Sequence, residues 1–213
     1  LAYGSAGFTV ILAWFVFRES VDLPKIGAVI LSLSGCVLVS NAHQASAWQA
    51  GALPVMVGLL SGLAFAIYTL MGKETARRKL DSWATLLYSF GFAAVFLFFI
   101  NQIPGLPGVI PGVTNLVPRL PLVAWLLILL LSVGPTILGY GLYTLSMHYL
   151  PAGIANLICT LEPSLTALQA YILLGERLTA VQWMGSALVV AAVILVRVAE
   201  DFKGKSIPET QAA

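Results

Sequence analysis

A single acidic side chain stands inside a long apolar stretch of this sequence. Glu162 is the only acid between Asp81 and Glu176, and residues 120–161 and 163–175 around it contain no Asp, Glu, Lys or Arg. A carboxyl in such surroundings can bind a proton on one side of a barrier and release it on the other, which is how an ion gradient drives movement of a solute. Thr166 and Gln169 follow at i+4 and i+7, so a helix would carry all three on one narrow polar stripe. A structural role is the alternative. Pro163 frees the carbonyl of Cys159 from its helix bond, and a protonated Glu162 would satisfy a loose backbone group at that kink.

The remaining polar candidates are few. Asn156 and Thr160 precede Glu162 in the same segment, as substrate contacts or as helix-to-helix hydrogen bonds. Thr136, Tyr140, Tyr143 and Met147 recur at i, i+4, i+7 and i+11, so a regular helix would present them on one face, suited either to an organic solute or to ordinary packing. Ser61, Phe65, Tyr68 and Thr69 form a similar face, with Gly58 and Gly62 as a GxxxG for backbone approach. Tyr68 is a candidate contact or an interface tyrosine. His148 could sense pH or be a solvated helix-end residue. Catalysis inside a membrane needs a nucleophile–base pair, a second carboxylate or metal ligands, and no second acid or His faces Glu162. Cys36 and Cys159 form no CxxC or His/Cys cluster, so neither a metal nor a cofactor is expected. Nothing resembles a phosphate-binding loop for ATP.

The elements that hold these residues must be membrane helices. Of 213 residues, 59% are hydrophobic and 9% charged, with a mean hydropathy of +0.94, whereas a soluble domain is roughly 25% charged. Uncharged stretches also cover 26–72, 82–118 and 178–196, enough for spans of about 20 residues each. The expected spans are 1–17 (partial), 22–42, 51–72, 83–101, 122–147, 152–174 and 179–198. A Pro/Gly-rich connection from Asn101 to Pro121 is expected to be stiff and folded back. The net charge of +2 and the scatter of basic residues exclude a nucleic-acid partner.

Lys73, Arg77, Arg78 and Lys79 cluster between two spans, which places that connection in the cytoplasm. Counting helices from it puts Arg18, Lys25, Arg197, Lys203 and Lys205 on the same side, nine of eleven basic residues, with Arg119 and Arg177 opposite. The C-terminus is then cytoplasmic. Trp48, Trp125 and Trp183 fall near the outer interface and Trp83 near the inner one, as an aromatic belt does. Ser5 to Gly27 is echoed by Glu162 to Gly185. Aligned on Glu19 and Glu176, Thr9 meets Thr166, Ala13 meets Ala170 and Trp14 meets Tyr171; one inserted residue brings Gly27 onto Gly185. If each repeat holds five helices, an odd number, the second copy lies upside down in the bilayer.

Gly134 to Val196, with Tyr140 and Tyr143, then Glu162-Pro163, Leu174-Gly175-Glu176 and Gly185, resembles the second half of an EamA-type carrier of the drug/metabolite transporter superfamily. The resemblance implies an all-α polytopic membrane protein with two inverted repeats of five transmembrane helices. The first repeat is expected to be incomplete here: 1–42 holds its last two helices, 51–198 is the second repeat, and 199–213 is a polar cytoplasmic tail. The chain begins at Leu1 inside an apolar run and is read as N-terminally truncated. Ser5-Ala6 stand where the second copy has Glu162-Pro163, so no symmetric pair of acids is available. The implied function is a secondary transporter, a permease acting as an exporter of small metabolites or drugs by alternating access, proton-coupled through Glu162. It would sit in the bacterial inner membrane, with the lipid bilayer and a small-molecule substrate as partners and Glu162, Tyr140, Tyr143, Thr166, Gln169, Asn156 and Tyr68 as candidate substrate or proton contacts. The competing readings are a non-transporting membrane scaffold subunit and an intramembrane enzyme.

Overall fold

The computed structural model describes residues 2–44, 51–103 and 120–205, and among them every regular element is helical. A 3-10 turn, Ala2–Gly4, leads into α1 (Ser5–Phe17), followed by α2 (Leu23–Val39), α3 (Ala52–Arg77) and α4 (Ser82–Ile100). Then come α5 (Leu122–Ser146), α6 (Ala152–Leu174) and α7 (Ala180–Lys205). Helices α3 to α7 are each long and apolar enough to cross a membrane, whereas α1 and α2 are shorter, at 13 and 17 residues. The chain is an integral membrane protein. Trp48, nearly all of the Pro/Gly-rich connection and the last eight residues of the expected tail, 206–213, lie outside the described residues.

Several boundaries differ from the sequence expectation for local reasons. The basic cluster is not all loop: α3 runs on through Arg77, and Glu74 pairs with Arg77 and Arg78 at i+3 and i+4. Such exposed pairs stabilise a helix by about 0.2–0.5 kcal/mol each. Helix α7 continues past 198 to Lys205. Helix α2 stops at Val39, and Asn41 just beyond has a left-handed φ of 53°. Helix α5 is not regular. Residues Ser132–Gly139 form a π-helical stretch around Pro135, and the Thr136 hydroxyl donates to the carbonyl of Leu131, four residues before the proline. That is the carbonyl whose α-helical donor proline lacks. The stretch also breaks the period that would have aligned Thr136 with Tyr140 and Tyr143.

The chain divides into two compact units, Leu1–Met71 with Leu150–Ala213, and Gly72–Tyr149. In the first, α2 and α7 run antiparallel with small residues at the contact: Ala28, Ser32, Gly35, Cys36 and Val39 against Gly185, Val189, Ala192 and Val196. Gly27 meets Leu195, Gly35 meets Gly185 and Val189, and Gln182 Nε2 donates to the Val39 carbonyl. Backbones are closest at Gly35 and Gly185. A Cβ on Gly35 would lie 2.6 Å from the Gly185 oxygen, and one on Gly185 2.8 Å from the Gly35 oxygen. Helix α7 starts with a reciprocal cap, in which Gln182 N–H donates to Thr179 Oγ1 and Thr179 N–H to Gln182 Oε1. Ala6, Ala28, Ile154, Leu157, Ala192 and Val196 form the apolar core.

The sequence echo is repeated in the backbone. Gly4 and Leu161, both helical at (−57°, −16°) and (−67°, −20°), precede Ser5 and Glu162, where α1 and the second stretch of α6 begin. Both copies end alike: Arg18 and Gly175 take left-handed φ values of 54° and 69°. Glu19 N–H then donates to Ala13 O and Glu176 N–H to Ala170 O. Helix α1 packs antiparallel on the first stretch of α6, Ala152–Cys159, and α2 packs antiparallel on α7.

In the second unit, the Trp83 ring of α4 lies on Gly141 of α5, so closely that a Cβ there would overlap it. Trp83, expected as an interface aromatic, is thus a packing residue. Lys73 Nζ donates to the Met147 carbonyl at the end of α5, and His148 Nε2 is 3.1 Å from Ser82 Oγ.

Because Gly35 and Gly185 meet backbone to backbone, Gly35→Ala or Gly185→Ala is expected to destabilise the fold by about 1–3 kcal/mol. Gly91→Ala on α4, with open space around it, is expected to leave stability unchanged or slightly raised. Thermal unfolding in detergent checks the contrast.

Candidate functional site

Helix α6 carries two polar stripes on different faces. The first is buried. Asn156 sits among α1, α3 and α6 at 1% exposure. Its Nδ2 donates to Thr9 Oγ1 (2.8 Å) and Thr69 Oγ1 (3.3 Å), and its Oδ1 accepts from Ser5 Oγ (3.1 Å). One turn on, Thr160 Oγ1 accepts from Ser32 Oγ of α2 at 2.6 Å, and its carbonyl lies 3.9 Å from Cys36 Sγ. A further turn on, Ser164 is buried with its hydroxyl unpartnered among the described residues. Both amide hydrogens of Asn156 are therefore used to hold three helices together.

The second stripe is Glu162, Thr166 and Gln169, all exposed. Their side chains make no hydrogen bond or ion pair among the described residues, though Tyr3 and Cys159 lie close enough to Glu162 to interact electrostatically. The helix tightens just before it: Thr160 N–H donates to Leu157 O and Leu161 N–H to Ile158 O, both three residues back. Thr160 Oγ1 also donates to Leu157 O. The turn before Pro163 is thus held by these short-range bonds, and the Glu162 carboxyl makes no hydrogen bond to it. The carboxyl is left facing outward with a hydroxyl and an amide one and two turns along, a set able to bind a proton or a polar group of a solute.

The aligned copies treat equivalent side chains differently. Ser5, Thr9 and Glu19 of the first copy all bond to the start of α6, the last through Glu19 Oε1 accepting from Ala152 N–H at 3.3 Å. Their counterparts Glu162, Thr166 and Glu176 are exposed. Tyr68 is half-buried on α3, its ring stacked on Phe65 at 6.2 Å. In the other unit, Tyr140 packs edge-on against Phe90 at 5.2 Å and Tyr143 is half-buried. Met147, expected on their face, is sealed in packing at 1% exposure. Sequence reasoning missed Ser5 and Ser32 as partners of the buried stripe. The available signal was their small-polar character on the faces of α1 and α2 that also carry Thr9 and Gly35.

A bundle of apolar helices, five of them long enough to cross a bilayer, with side-chain hydrogen bonds between them defines a polytopic α-helical membrane protein. Residues 52–198 match the EamA-like transporter family, and the chain belongs to that family, within the drug/metabolite transporter superfamily. It is similar to an uncharacterized transporter of Archaeoglobus fulgidus, 27% identical over 177 residues that cover 83% of this chain and 58% of that protein. An uncharacterized transporter of Synechocystis sp. is 26% identical over 191 residues, 88% of this chain and 54% of its own. A third, of Clostridium kluyveri, is 22% identical over 178 residues, covering 81% and 53%. The chain spans a little over half the length of these relatives. No solved structure matches it.

Replacing Asn156 by Leu removes its three hydrogen bonds, to Ser5, Thr9 and Thr69. Stability is expected to fall by about 2 kcal/mol, since each such bond in a membrane is worth roughly 0.6–2 kcal/mol. Thermal unfolding of Asn156→Leu without substrate measures this directly; a residue acting only on substrate would leave the unliganded protein unchanged.

Proposed function

We propose that the protein is a secondary carrier, a permease exporting small metabolites or drugs by alternating access between inverted repeats. The observation that carries this reading is the Glu162 carboxyl, without a hydrogen-bond or ion-pair partner among the described residues, on the exposed stripe of α6 with Thr166 and Gln169 beside it, in a chain of the EamA-like transporter family. In this reading Glu162 is the proton-binding group, and Thr166 and Gln169 offer hydrogen bonds to the solute. Tyr68 on α3 and Tyr140 and Tyr143 on α5 are proposed as aromatic substrate contacts. Asn156 belongs to the same helix as a positioning residue, because its amide is spent on Ser5, Thr9 and Thr69. The proposed repeats are 1–42, as the end of the first, and 51–198 as the second. The C-terminal residues 199–213 lie on the cytoplasmic side of a bacterial inner membrane.

An extracellular metabolite profile tests this. Cells expressing the complete gene product are compared with a Glu162→Gln variant and with empty vector at matched protein levels, with and without a pH gradient. A compound accumulating outside only with the unmutated protein, and only with the gradient, is the expected result. Gradient-independent accumulation by both proteins would make Glu162 a structural acid, and no difference from empty vector would remove the exporter reading.

A further inference from the structure

Glu19, in the first echoed copy, bonds to the start of α6, the helix that carries the second. It lies just past the left-handed end of α1, and its Oε1 accepts from the N–H of Ala152, the first residue of α6. Helix N-terminal N–H groups have no partner within their own helix. Within the first turn of α6, Ile154 and Ala155 N–H both donate to Pro151 O, and Pro151 itself has no N–H. Ala152 is fully buried, so its N–H has the Glu19 carboxylate in place of water. The charged groups around Glu19 on its own connection are Arg18, Asp22 and Lys25, with Lys25 Nζ donating to Ser20 O. Beyond this contact the α1–α6 seam continues through Ala13, Val10 against Gly153, and Thr9 against Asn156.

Resting on the carrier reading above, we infer that the Glu19–Ala152 contact is a latch that holds the cytoplasmic end of the α1–α6 seam closed. Two features suit it to opening and closing. It joins the end of α1 to the start of α6, the helix that carries the second echoed copy farther along, so any rocking of the proposed repeats must stretch it. It is also a single, long hydrogen bond at the rim, whereas deeper in the seam Asn156 makes two bonds to α1, with Ser5 and Thr9. The identical end turn at Gly175–Glu176 supplies the second copy with an acid in the same register, at the opposite end of the inverted pair.

Thiol accessibility tests the latch. A single cysteine is introduced as Ala13→Cys, on the buried seam, in the complete gene product with its other cysteines replaced. Labelling by a membrane-impermeant maleimide is followed in inside-out vesicles. Glu19→Ala is expected to raise the labelling rate about fivefold or more, the effect of losing roughly one kcal/mol of closure. Glu19→Gln, whose amide oxygen still accepts, is expected to fall between, and Glu176→Ala to give no rise. If Glu19→Ala lowers the unfolding temperature while labelling stays unchanged, Glu19 is only a helix cap and the latch is refuted. An equal rise with Glu176→Ala would also refute it. Failure of export with the latch intact would count against the carrier reading alone.

Discussion

The contact between Gly35 and Gly185 is the constraint on which the larger unit depends. In a bilayer, side chains gain nothing by leaving lipid for one another, so helices associate where their surfaces fit closely enough for dispersion and short polar contacts to act. Two glycines facing each other let α2 and α7 approach until backbone meets backbone. Ala28, Ser32, Val189, Ala192 and Val196 extend the fit along the seam. Once that pair is fixed, α6 lies across it, and Thr160 finds Ser32 and Cys36. Helix α1 then follows α6 through Asn156.

The polar groups inside this bundle divide by what they can still do. Ser5, Thr9, Ser32, Thr69, Asn156 and Thr160 satisfy one another, so they specify which helices meet. Glu162, Thr166 and Gln169 sit on the other side of α6 and are open. The same helix therefore serves as a structural strut on one face and offers chemistry on the other. This separation arises from spacing alone: positions 156, 160 and 164 follow the i+4 row, and 162 lies two residues off it.

Much of the fold was legible in the sequence because its signals are long-range in composition: uncharged runs, the turn residues between them, and the Ser5–Gly27 echo in Glu162–Gly185. The echo proved more literal than four identities suggest, since Ala13 and Ala170 receive the same hydrogen bond from Glu19 and Glu176. What escaped were features set by tertiary contact. Serines at 5 and 32 carry no sequence mark distinguishing a buried partner from a surface hydroxyl. The π-helical stretch at Pro135 shifts the faces of α5, which no fixed period anticipates. Lys73 reads as a topology charge, yet its ammonium is bonded to the Met147 carbonyl. Glu162 was visible from isolation alone, but that its carboxyl makes no hydrogen bond at the Pro163 turn required the geometry.

The central claim is that the two copies are inverted, so that their matching end turns face opposite sides of the membrane. Single cysteines introduced as Ser20→Cys and Arg177→Cys, both at exposed positions beside those turns, can be labelled with an impermeant maleimide in right-side-out and inside-out vesicles. The inverted arrangement predicts that position 20 reacts only from the cytoplasmic side and position 177 only from the other. Labelling of both positions from the same side would contradict it.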